Sequence, residues 1–276
     1  MVAASVGFHC PQCAREGRQK VYTARSLRQQ ADPIVTKVLI GVNAVVFMLT
    51  AFGGGAVLTL RDEALVKFST LGFLPFDPID PSPGPIGVEA GEWYRLVTGG
   101  FMHANVMHIG FNMYLLWMLG KVLEPALGRT RFGLVYGVSL LAGSFGAILV
   151  DPLAFTVGAS GAVFGLMGAM VVAQRAAGIN VWQSGIGVLV LVNLLITFTI
   201  SGISIGGHIG GLVGGALAGA CLVELPSRLS TNRRDGMILG TALVVALGVV
   251  CIVGAGWAAG TWVDPLFADS LQERLG

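Results

Sequence analysis

Charged residues cut this chain into long apolar stretches. Charge-free runs occupy 38–60, 96–120, 132–150, 152–174, 176–223 and 236–263. A bilayer crossing takes about 20 apolar residues, so each run is long enough to span. The run 176–223 is long enough to span twice, and it breaks at "SGISIGG", residues 201–207. That small, glycine-rich stretch reads as a turn between two helices. The pattern predicts an all-α polytopic membrane protein with seven transmembrane helices. No internal repeat or low-complexity tract interrupts it.

Composition agrees, with 54% of residues hydrophobic and 12% charged, where a soluble domain carries about 25% charge. The first residues, "MVAASVGFHCPQC", lack the basic start and apolar core of a cleavable signal peptide. The first 37 residues instead hold Arg15, Arg18, Lys20, Arg25, Arg28 and Lys37. Basic residues stay cytoplasmic, which places the N-terminus inside and, after seven crossings, the C-terminus outside. With that orientation 13 of the 17 basic residues fall inside. Only Arg61, Lys67, Arg95 and Arg274 fall outside, while Asp62, Glu63, Asp77, Asp80, Glu89 and Glu92 gather in the first outer loop. A net charge of +2 carries no sign of a nucleic-acid partner. The expected organisation is a cytoplasmic tail over 1–33, a six-helix core over 34–225, and a linker, seventh helix and outer tail over 226–276.

Cys221 and Cys251 lie in apolar helices and read as small core or lipid-facing residues. Cys10 and Cys13 form a CxxC in the polar tail, next to His9. Structural zinc takes four ligands, so this set is short of one unless a second chain completes it. Incidental thiols, zinc and a redox role are all compatible with the motif.

The polar residues inside the apolar runs carry the chemistry, because such residues are costly in lipid. They gather at the start of three predicted helices. The second begins "FMHANVMHIGFNMYLLW", with His103, Asn105, His108 and Asn112; the fourth begins at Ser160; the sixth begins "GGHIGGLVGGALAG", with His208. Taken singly, each can be a polar bridge between packed helices. Depth argues for more. At a rise of about 1.5 Å per residue, Ser160 lies about 22 Å above Arg175. His208 lies about 24 Å above Glu224, and His108 about 24 Å above Glu124, with Asn112 one turn deeper. All four fall in the outer third of a hydrocarbon layer about 30 Å thick.

A serine, a histidine and two side-chain donors at one depth are the parts of acyl transfer. Serine is a weak nucleophile until a base takes its proton, and histidine titrates near neutrality. The tetrahedral oxyanion needs preorganised donors, which Asn112, His108 and the unpaired N–H groups at the start of helix four can supply. Gly158 and Gly161 permit a tight backbone beside Ser160. "GASGA" is not the GxSxG elbow of soluble hydrolases, since Ala162 takes the last glycine's place. Gly211 and Gly215 share a face with His208 and form a GxxxG, which lets helices pack closely. Gly165 and Gly168 on helix four offer a complementary smooth face. Phe164, one turn below Ser160, can stack on the imidazole or simply fill core or lipid space.

These motifs resemble the rhomboid intramembrane serine proteases. The matching residues are "EWYRLVTGGFMHANVMHIGFNMYLLWMLGKVLEPALGRTRF" (92–132), "GASGAVFGLMGA" (158–169) and "HIGGLVGG" (208–215), in the family's order across most of 34–225. The resemblance implies a six-helix core, to which 236–263 adds a seventh helix. It implies Ser160 as nucleophile, His208 as general base, and His108 and Asn112 in the oxyanion hole. His103 resembles the family's structural histidine, Trp93 and Arg95 its Trp-x-Arg loop element, and Glu124 and Gly128 its cytoplasmic Glu-xxx-Gly. The implied dyad has no aspartate, which agrees with the absence of any acid in helices four to six at that depth; Asp151, in the loop before Ser160, is a remote alternative for orienting His208 and is not expected to do so. The first outer loop mixes aromatic residues and prolines and reads as an interfacial segment.

The expected function is therefore a serine endopeptidase that cleaves transmembrane or membrane-proximal segments of other membrane proteins. Its partners are such substrates and the lipid bilayer, with no cofactor and no nucleic acid, in the bacterial cytoplasmic membrane if the source is bacterial. The resemblance also implies substrate access near helices two and five, small residues at the cleavage site and helix-weakening residues below it. A non-catalytic client-binding relative, or a channel using the same polar plane, would share the composition.

Overall fold

The structure, a computed structural model, describes residues 2–3, 8–9, 32–51, 62–80, 84–226 and 232–261. The chain divides into two compact units, 1–32 and 33–276. In the first, two two-residue strands, β1 (Val2–Ala3) and β2 (Phe8–His9), pair antiparallel with Val2 opposite His9. Cys10 and Cys13 lie outside the described residues.

The second unit is helical. In chain order it holds α1 (Ile34–Ala51), α2 (Asp62–Phe68), α3 (Arg95–Thr98), α4 (Val106–Leu127), α5 (Arg129–Val150), α6 (Ser160–Ala176), α7 (Ile186–Thr199), α8 (Ile205–Val223) and α9 (Arg233–Thr261). Five of these, α1, α4, α5, α8 and α9, are long and apolar enough to cross a membrane, which makes this a multi-pass membrane protein. α6 has 17 residues and α7 has 14. The sheath helices α1, α4 and α9 are 22–28% buried over their most apolar stretch, against 61% for α5 and 50% for α8. Large apolar side chains such as Val45, Leu49, Phe111, Tyr114, Phe198 and Val253 point outward. That is the arrangement expected where the surrounding solvent is lipid rather than water.

Two helix starts differ from the apolar runs. The run 96–120 is not one helix from its beginning: α3 and a 3-10 turn (Gly99–Phe101) come first, and α4 opens only at Val106. Asn105 ends the extended stretch, and its side chain accepts the His108 N–H at 3.0 Å, satisfying an otherwise orphan donor. His103 therefore lies in a loop and not in a helix, contrary to the expectation from the run. At the other break, Ser204 caps α8 by accepting the Gly207 N–H at 3.1 Å, so the turn is confined to 201–204.

α8 is the hub, and two rows of glycine make it so. Along one face Gly211, Gly215 and Gly219 meet α6: a Cβ on Gly215 would strike the Gly165 backbone, and one on Gly211 the Gly161 carbonyl. Along the next face Gly206, Gly210 and Gly214 meet α5, where Gly206 abuts the Gly146 carbonyl and Gly210 that of Ala142. The smooth faces expected on α6 and α8 do meet, with Gly168 packed on the Leu212 carbonyl. In lipid no hydrophobic force drives helices together, so this backbone-to-backbone dispersion is the main cohesive term.

On the opposite side of the site, Glu124 fastens α4 to α1. Its buried carboxylate accepts the Val35 N–H (2.9 Å), the Thr36 N–H (2.8 Å) and the Thr36 hydroxyl (2.8 Å), capping the α1 N-terminus where the helix dipole favours an anion. Gly128 follows at φ +84 and turns the chain directly into α5.

The glycine rows make a clear expectation. Gly215→Val should lower stability by at least about 2 kcal/mol through overpacking against fixed backbone. Gly41→Ala, where a Cβ meets nothing within 4 Å, should stay within about 0.5 kcal/mol of wild type. Reversible unfolding in mild detergent measures both.

Candidate active site

Ser160 is the first residue of α6, and the loop before it is held from two directions. Thr156 and Thr70 exchange backbone hydrogen bonds at 2.9 Å each way, tying the approach loop to the segment after α2. The Gly158 N–H donates to the Gly99 carbonyl at 2.9 Å, and the Ala159 N–H points at His103 Nε2 at 3.5 Å. Fully buried His103 is thus a support beneath the loop rather than a member of the reactive set. Gly158 has φ +122, a conformation open to glycine alone at low cost, and a Cβ there would lie 2.6 Å from His108 Nε2. No side chain caps α6 at Ala159, so its first N–H groups remain directed at the space beside Ser160.

His208 sits in the first turn of α8. Its Nε2 lies 2.8 Å from Ser160 Oγ, across 48 residues of sequence. The glycine contacts of α6 and α8 bring the two helix starts this close. Phe164 stacks on the imidazole with ring centres 4.2 Å apart and planes 19° apart, so the open question about that side chain is answered: it is a wall of the site. The other ring nitrogen, Nδ1, is 2.7 Å from Thr197 Oγ1 on α7. The ring's outer nitrogen meets a neutral hydroxyl and no carboxylate, while Asp151 stands in the cavity wall.

His108 and Asn112 come from the first two turns of α4. The Ala104 N–H points to His108 Nδ1 at 3.4 Å, which assigns the ring hydrogen to Nε2, the atom facing Gly158 and the serine. Asn112 donates one amide hydrogen to the His108 carbonyl at 3.0 Å and keeps the second. Ser160, His208, His108 and Asn112 all line one cavity of about 850 Å³, whose apolar lining includes Leu115, Leu140 and Phe164. Such a volume holds water and an extended peptide segment.

The remaining expected residues frame the site. Arg95 is 1% exposed; its guanidinium donates to Glu92 (2.7 Å), the Val66 carbonyl (2.6 Å) and the Ser69 carbonyl (3.3 Å). It therefore pins the end of α2 to the start of α3. Trp93 lies against Gly256 of α9. Gly161 packs on Gly143 of α5. Cys251 is buried and Cys221 half-buried, both as free thiols. Thr197 is the residue in contact with His208 that sequence reasoning missed. Its signal was available: in the apolar stretch "IGVLVLVNLLITFT", Asn193 and Thr197 are polar and one turn apart, on one face.

Comparison with known proteins follows the same lines. Residues 90–225 match the family model of the Rhomboid domain. The chain is 31% identical over 230 residues to Rhomboid protease GluP of Bacillus subtilis, covering 82% of this chain and 41% of that protein. It is 44% identical over 84 residues to Putative rhomboid protease YdcA of the same organism, covering 30% of this chain and 42% of that protein. It is 42% identical over 82 residues to human Rhomboid-related protein 3, covering 30% of this chain and 20% of that protein. The chain thus spans about two fifths of the length of the two bacterial relatives.

Outside the spans, Glu92 is the group whose charge the site frame depends on. Burial pushes its carboxyl up, but the Gly87 N–H, the Arg95 guanidinium and the Tyr94 hydroxyl together hold it below 4.5. A depressed folded value stabilises the protein above the unfolded value, and that stability disappears as pH falls through the folded one. Wild type should therefore lose thermal stability as pH falls below the ordinary carboxylate range. In Glu92→Gln this part of the loss should vanish and stability at neutral pH should drop; melting curves across that range decide it.

Proposed function

This chain belongs to the rhomboid family, and on that footing we propose that it is an intramembrane serine endopeptidase that cleaves transmembrane or membrane-proximal segments of membrane proteins. The observation that carries the reading is the 2.8 Å contact between Ser160 Oγ and His208 Nε2. Ser160 attacks the scissile carbonyl while His208 Nε2 takes its proton. The oxyanion that forms accepts from His108 Nε2–H and the free amide hydrogen of Asn112, with help from the N–H groups opening α6. Collapse of the intermediate breaks the C–N bond. The amine leaves with the proton from His208, and the acyl group stays on Ser160. Water, activated by the same imidazole, then releases the acid and restores the hydroxyl.

The cavity supports two further parts of this reading. Its polar end, at the starts of α4, α6 and α8, gives the hydrolytic water a place; its apolar wall accepts side chains from a membrane segment. A helical substrate keeps its peptide bonds hydrogen-bonded and shielded, so the bond to be cut must first unwind, which favours substrates with helix-weakening residues. The residues 34–225 form the catalytic core of this proposal. The basic-inside pattern orients it with the N-terminus in the cytoplasm and the C-terminus outside, which puts the polar plane in the outer leaflet. Partners are transmembrane protein substrates within a cell membrane, with no cofactor in any step.

Reconstituted into lipid vesicles with a single-span test substrate, wild type should cut within or beside the span. Ser160→Ala and His208→Ala should each lower the cleavage rate by at least about 10³-fold, as in other serine hydrolases. His108→Ala should lower kcat by about 10²-fold, the typical loss of one oxyanion donor. Cleavage that survives in Ser160→Ala would end the assignment.

A further inference from the structure

Several helices bring polar atoms to the cavity, and none of the motifs foretold the contribution of α7. It is a lipid-facing helix in which only Ile186 and Thr197 are buried. Thr197 is 1% exposed. Its hydroxyl makes two contacts: Oγ1 donates to the Asn193 carbonyl at 2.8 Å and lies 2.7 Å from His208 Nδ1. Thr199, two residues on, bonds only carbonyls of its own helix.

A threonine hydroxyl has one hydrogen. The 2.8 Å contact with the Asn193 carbonyl has the geometry of a donated hydrogen; with the hydrogen placed there, the oxygen has only lone pairs to offer His208, and Nδ1 is the donor. A neutral imidazole carries one ring hydrogen. With that hydrogen fixed on Nδ1, Nε2 is a bare acceptor facing Ser160 Oγ at 2.8 Å, which is the tautomer a general base needs. We propose that Thr197 is a positioning residue that sets the tautomer and ring orientation of His208, in the place where a carboxylate would stand in a three-residue charge arrangement. When Ser160 transfers its proton to Nε2, the Nδ1–H bond to Thr197 persists and strengthens, because the donor is now cationic. No charge is left buried on the far side of the ring, as it would be with an aspartate in lipid. The groups in contact with His208 are Ser160 from α6 and Thr197 from α7, with Phe164 across its face. None of these is an anion.

The proposal rests on the Ser160–His208 reading, and its test separates the two. Thr197→Val keeps the shape and removes the hydroxyl; Thr197→Ser keeps the hydroxyl and removes the methyl. In lipid vesicles Thr197→Val should lower kcat by about tenfold, the scale of one such hydrogen bond, with KM unchanged. Thr197→Ser should restore kcat to within about twofold. Nitrogen-15 spectra of labelled histidine, assigned with His208→Ala, should show Nδ1–H in wild type and in Thr197→Ser and a mixture of tautomers in Thr197→Val. An unchanged tautomer and kcat in Thr197→Val would overturn the proposal, as would a Thr197→Ser enzyme as impaired as Thr197→Val. Cleavage retained by Ser160→Ala would instead reject the dyad itself, while the tautomer measurement would still stand on its own.

Discussion

The structure depends on how closely two helices can approach inside lipid. α6 and α8 touch backbone to backbone, Gly161 and Gly165 on one side against Gly211 and Gly215 on the other. Replace any of these with a larger residue and the axes separate by the width of a side chain. A hydrogen bond tolerates a few tenths of an ångström, so the 2.8 Å contact between Ser160 and His208 exists only because nothing larger than hydrogen stands between the helices. The same glycines that look permissive in the sequence are therefore the most constrained positions of the fold.

Around that contact, the two buried charged side chains are each given partners. Arg95 is buried but ends on Glu92 and two carbonyls, and Glu124 is buried but caps α1. Those two anchors stand outside the reactive set. They hold α2 and the loop 151–159 on one side and the α1–α4 pair on the other, so that the serine's approach loop has little freedom. Preorganisation of this kind is what an oxyanion site requires, since donors that must reorient during reaction contribute little. Within the set, Ser204, Asn105 and Thr197 each settle one local question: where α8 begins, where α4 begins and which nitrogen of His208 bears hydrogen.

Much of this was legible in the chain. Charge-free runs marked the spans, and the depth count placed Ser160, His208, His108 and Asn112 in one layer because helix rise is nearly constant. The spacing of Gly211 and Gly215 named the face that packs on α6. What the sequence could not carry was anything decided by a cap or by a third helix. The run 96–120 is uniformly apolar, and only the Asn105 side chain makes α4 start at 106 and leaves His103 in a loop. Hydropathy has no means of weighing one capping bond against ten residues of apolar propensity. Thr197 was hidden for a similar reason: threonine is common in membrane helices, where it bonds its own backbone, and only tertiary contact separates it from Thr199. The expected absence of an orienting aspartate left open what meets the far side of the His208 ring, and the structure puts a neutral oxygen there.

The account stands or falls on the nucleophilic character of one hydroxyl in a membrane cavity. Covalent labelling tests it most directly: wild type, Ser160→Ala and His208→Ala in lipid vesicles are treated with a fluorophosphonate, and the adduct is located by peptide mass spectrometry. The account predicts a phosphonyl group on Ser160 in wild type, none in Ser160→Ala, and strongly slowed labelling in His208→Ala. An adduct on any other residue, or equal labelling of Ser160 without His208, would contradict it.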